Sequence, residues 1–91
     1  MICIELKPNL SSCIETLSKR EYERTLKLFF EERGRDEEEL LEKLEVLRLF
    51  LESTNFSHLR GQYEGYLTEG KEVTFRIYSE EGNPSYKMIV E

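Results

Sequence analysis

Histidine occurs once, aspartate once, glutamine once and cysteine twice in these 91 residues. The single histidine, His58, excludes a two-histidine metal site within one chain, and general-base chemistry is left to it or to a carboxylate. Cys3 and Cys13 have no second cysteine pair beside them, which fits neither a disulfide framework nor a zinc site and predicts free thiols. Uninterrupted apolar stretches such as Leu28 to Phe30 and Leu49 to Leu51 fall far short of the roughly 20 residues that a membrane span requires. No charged segment followed by a long apolar run opens the chain, so a cytoplasmic location is expected. Asn55-Phe56-Ser57 matches a glycosylation acceptor, a match that means nothing without secretion. A glycine-rich phosphate loop is missing as well.

What is present points to a folded chain. With 38% apolar, 35% charged and 11% aromatic residues, it is too hydrophobic and too patterned for disorder. Its length predicts one domain over residues 1–91. Eighteen of the nineteen acids are Glu, set against thirteen Lys and Arg, a bias associated with heat-adapted organisms. A thermophilic source is therefore expected.

Ile2, Ile4 and Leu6 alternate with Cys3, Glu5 and Lys7, the two-residue period of a half-buried strand, and Pro8-Asn9 ends it. Residues 9–17 carry a mixed signal, either a helical turn or a second strand. Ser18-Lys19-Arg20-Glu21 reads as a capping box, followed by Tyr22, Leu26, Phe29 and Phe30 at helical spacing and by Gly34 as a stop. A helix is expected from about Lys19 to Arg33. Asp36 can cap a second helix whose first turn holds Glu37, Glu38 and Glu39, with Leu40, Leu44, Leu47 and Leu51 on one face, running to about Ser53. Gln62 to Leu67, Glu72 to Tyr78 and Tyr86 to Val90, separated by Gly-containing turns, read as a three-strand meander. The expected architecture is α+β: an antiparallel four-stranded sheet, made of the N-terminal strand and the C-terminal meander, covered on one face by a two-helix antiparallel hairpin.

Charge is uneven. Residues 36–53 hold seven acids and two bases, and the chain as a whole carries −6. Nucleic acid is thus an improbable partner, because phosphate contacts supply most of that affinity. The stripe Arg20, Arg24 and Lys27 reads as a solvated face with intrahelical pairs. Glu31, Glu32, Asp36, Glu37, Glu38 and Glu39 bracket the hairpin turn and could converge on calcium, although no Asp-x-Asp-x-Asp-Gly loop supports this. Tyr63, Tyr66, Tyr78 and Tyr86, with Arg60, Arg76 and Lys87, could bind a peptide or stack bases on an open sheet face, or sit at the edge of a core. No spacing rule joins His58 to Cys3 or Cys13 as base and nucleophile.

The second helix has a further stripe, Val46, Leu49 and Phe50, roughly opposite Leu40 and Leu44. A helix that is apolar nearly all round needs a second layer or a partner chain. The expectation is a non-catalytic interaction module, most simply a homodimer that buries Val46, Leu49 and Phe50. A protein or peptide partner is the wider form of that expectation, and a calcium-binding protein is the alternative. No cofactor beyond possible calcium is implied.

Overall fold

A computed structural model describes residues 2–31 and 37–91. The elements run β1 (Cys3–Leu6), α1 (Ile14–Glu31), α2 (Glu37–Ser53), α3 (Phe56–Thr68), β2 (Val73–Glu80) and β3 (Asn83–Val90). The fold is α+β, with three helices and, among the described residues, an antiparallel sheet of three strands in the order β1-β2-β3.

Two expectations need correction. The sheet has three strands, not four, because residues 62–67 belong to α3 and not to a meander. Asn55 caps that helix, its side-chain oxygen accepting the His58 amide at 3.2 Å. Phe56, Leu59, Tyr63 and Leu67 then recur at spacings of three, four and four, which is a helical face. The Gly70 segment, taken as a hairpin turn, is the helix stop: Gly70 adopts φ +84°, its amide donates to the Leu67 carbonyl and the Lys71 amide to the Tyr66 carbonyl. That pair of bonds is a Schellman motif.

The second correction concerns the start of α1. The helix begins at Ile14, so Ser18 is interior and caps nothing. It is fully buried, and its hydroxyl donates to the Ile14 carbonyl at 2.8 Å. Thr25 does the same to the Glu21 carbonyl. Two small, internally satisfied side chains on the buried face let α1 lie close to α2. Asn9 organises the approach, its side-chain oxygen accepting the amides of Ser11 and Ser12 at 2.8 Å each. The expected stop at Gly34, the cap at Asp36 and the turn between the helices lie outside the described residues.

In the sheet, Ile4 pairs with Ile77 and Ile77 with Tyr86; Leu6 pairs with Phe75 and Phe75 with Met88. These residues share the face that the helices cover. Cys3, Tyr78 and Ser85 form a row on the opposite face, and Glu5, Arg76 and Lys87 form the next. The β2–β3 turn has Glu81 at φ +52° and Gly82 at φ +81°, the two positive values that a two-residue hairpin loop of matching twist requires.

The core cluster joins Ile4, Val73, Phe75 and Ile77 of the sheet to Ile14, Val46, Leu47, Phe50, Leu59 and Tyr63 of the helices. Phe75 lies edge-on to Tyr63 and tilted against Tyr86, which in turn meets Phe50 edge-on, with centroids 5.5 to 5.9 Å apart. Val46 and Phe50 are 2% and 1% exposed. The stripe expected at a dimer interface therefore faces this chain's own sheet and α3, and only Leu49 is left half-buried. Helix α2 is apolar nearly all round because α1 lies on one side of it and the sheet on another.

Candidate functional site

The N-terminus of α1 builds the most chemically distinctive spot. Cys13 caps the helix, its carbonyl accepting the Leu17 amide at 3.0 Å. Its sulfur lies 3.2 Å from the Thr16 hydroxyl. The hydroxyl of Thr16, followed by its amide and that of Glu15, with Arg60 adding charge, holds the Cys13 thiol below its ordinary value against partial burial. Such stabilisation of a thiolate by amides at a helix start is expected from the helix dipole. Tyr63, reaching from α3, accepts the Ile14 amide on its hydroxyl at 3.0 Å. Burial keeps that hydroxyl above its ordinary value.

Cys13, Ile14, Arg60 and Tyr63 line a cavity of about 100 Å³ with Glu15, Phe56 and Ser57. That is below the roughly 300 Å³ at which small-molecule pockets begin. His58 is not among its walls. It bonds to Gln62 one turn along α3 and lines a separate groove of about 280 Å³ with Phe50, Ser53, Thr54, Asn55, Leu59, Pro84 and Tyr86. Among the described residues, Glu15 is the only proton acceptor lining the Cys13 cavity, and it pairs with Lys19 at 3.7 Å.

Of the acidic cluster, Glu32 and Asp36 lie outside the described residues. Glu31, Glu37, Glu38 and Glu39 are exposed, and Glu31 pairs with Lys27 at 4.0 Å. Among the described residues no three His, Cys, Asp or Glu side chains are grouped to hold a metal. Arg24 of the basic stripe is held by Glu21 at 2.9 Å. Glu21 also receives Lys43 of α2 at 2.6 Å, in a half-buried pair that ties the two helices together. Burial raises the Glu21 carboxyl, but the hydrogen bonds from Lys43 and Arg24 outweigh it and hold the group below its ordinary value of 4.5. No helix of the described residues is long and apolar enough to cross a membrane.

The four tyrosines separate. Tyr63 is core, Tyr66 is exposed on α3, Tyr86 is at the sheet edge, and only Tyr78 shares the open sheet face with Arg76 and Lys87. The sequence reading did not identify Phe30 and Leu41 as surface residues. They are 59% and 51% exposed and lie at the same end of the α1–α2 hairpin, on either side of residues 32–36. The signal was available in Phe30, which follows Phe29 on α1 and cannot face the same way at 100° per residue.

A protein-family model, described only as a family, matches residues 1–91. The chain belongs to that family. No curated protein and no solved structure matches it.

Proposed function

We propose that this family member is a non-catalytic interaction module that pairs with a second copy of itself through the open end of the α1–α2 hairpin. The observation that supports the reading is the exposure of Phe30 and Leu41 at that end, with the Phe29 ring edge-on to Phe30 at 5.6 Å. Burying a side chain of this kind is worth roughly 1.5–3 kcal/mol. By helical spacing Lys19, Leu26 and Phe30 share one side of α1, and Glu38, Leu41 and Glu45 share one side of α2.

Charge selects the arrangement. Helix α2 holds six acids and two bases, whereas α1 holds four of each. Pairing α2 with α2 of the second copy opposes like charges, while pairing α1 with α2 sets Lys27 toward acids. In a two-fold pair each such contact is made twice. A chain this small also gains stability by sharing apolar surface. Unlike the expected stripe, this surface needs no unpacking of Val46 or Phe50.

Sedimentation velocity at tens of micromolar tests the reading. A dimer is expected for the natural chain, and a monomer with unchanged helical circular dichroism for the double variant Phe30→Asp, Leu41→Asp. A natural chain that sediments only as monomer overturns it.

A further inference from the structure

We infer that the free edge of β3 is a docking site for an extended segment of another protein whose side chains alternate apolar and acidic. The site is separate from the hairpin end. Strand β3 is eight residues long and pairs only with β2. Among the described residues no side chain or further strand bonds to its outer edge, which leaves a row of backbone donors and acceptors available to an added strand.

Both flanks of that edge are shaped. On the helix side Tyr86, 39% exposed, and Pro84 form one wall of the groove of about 280 Å³ closed by Phe50 and Leu59. On the open side Arg76, Tyr78, Lys87 and Cys3 line a cleft of about 290 Å³. Side chains of a strand point alternately to the two faces, so an added strand places one set toward the groove and the other beside the cations. Apolar side chains suit the first position. Acidic side chains suit the second.

The charge requirement is local. Along the open face the row is Glu5, Arg76, Lys87, and Glu5 already engages Arg76 at 3.6 Å. Lys87 stands next to the edge with no carboxylate within ion-pair reach among the described residues. Glu80 and Glu81 at the turn, and Glu72 and Glu91 at the other end, restrict the preference for an acid to the middle of the strand. A second copy's β3 is a poor occupant, because central antiparallel pairing sets Lys87 directly or diagonally opposite its own copy, and like charges so placed repel. Pro84 and Lys87 are themselves devices that discourage edge-to-edge self-pairing.

The experiment is a titration of the full chain with the blocked peptide acetyl-Thr-Val-Glu-Val-Thr-amide, followed by amide shifts and by hydrogen exchange of β3. The expected result is shifts and slowed exchange confined to residues 83–90 and the groove. The corresponding peptide with Lys in place of Glu is expected to bind about fivefold more weakly, the size of one cross-strand charge pair. In the surface variant Lys87→Glu that order reverses. Equal affinity of the two peptides for both proteins, shifts centred elsewhere, or no shift at millimolar peptide overturns the inference. Concentration-dependent β3 shifts without peptide overturn it in favour of self-pairing.

Discussion

The two ends of the α1–α2 hairpin carry similar amounts of apolar side chain and bury them very differently. At one end Ile14 and Tyr22 of α1, and Val46, Leu47 and Phe50 of α2, join a cluster completed by the sheet and α3. At the other, Leu26, Leu28, Phe29 and Leu40 are only half-buried, and Phe30 and Leu41 are exposed; none of them belongs to that cluster. The Glu21–Lys43 pair lies between the two regions. What differs is the number of layers available: the sheet lies beneath one end, while the chain's longest dimension of 45 Å is more than such a small sheet can cover. An apolar helix face is core or interface according to what lies under it, not according to its composition.

The strongest test of this contrast is a pair of truncations. Phe50→Ala should cost about 3–5 kcal/mol of unfolding free energy, whereas Phe30→Ala in the monomer should cost less than about 0.5 kcal/mol. Urea denaturation at low protein concentration reads both, and similar losses would erase the distinction. Next in size, Tyr63→Phe removes the partner of the buried Ile14 amide and should cost about 1–3 kcal/mol; a neutral effect would mean that the bond holds nothing at the sealed end.

The ion pair between the two regions gives a pH signature. Because the folded Glu21 carboxyl lies below its ordinary value, its contribution is fully present above the pH at which the unfolded chain titrates and is lost as pH falls through the folded value. Unfolding free energy of the natural chain should therefore fall more steeply below pH 4.5 than that of Glu21→Gln, and parallel curves would contradict the pairing. The smallest effect is a gain. Gly61 and Gly65 lie inside α3, and an added Cβ at either position meets nothing within 4 Å. Gly61→Ala and Gly65→Ala should each stabilise by about 0.5–1 kcal/mol, measured by the same denaturation, unless that helix face is occupied.

Much of the fold was legible. The alternation Ile2-Ile4-Leu6, the turn at Gly82, and the leucine period of α2 fix β1, the β2–β3 hairpin and the second helix through local patterns. Helix α3 was missed because glycine serves equally as a hairpin turn and as a helix stop. Only the Phe56, Leu59, Tyr63, Leu67 period decides between them, and Gly61 and Gly65 weaken it. Ser18 was misread because a serine three residues before a glutamate has the same sequence signature whether it caps a helix or donates back to a carbonyl inside one. The candidate site was less legible still. Apolar periodicity in α2 showed that Val46 and Phe50 must be covered, but the covering layer was the missed helix and the sheet. The cavity at Cys13 depends on Arg60 and Tyr63, whose approach no spacing in the sequence announces.

A dilution series followed by amide chemical shifts tests most directly whether the sealed end is core and the open end is the pairing surface. Concentration-dependent shifts should be confined to residues 26–31 and 38–45, while Val46, Phe50 and Tyr63 stay fixed. Shifts centred on Val46 and Phe50, or none between micromolar and millimolar protein, would contradict the assignment.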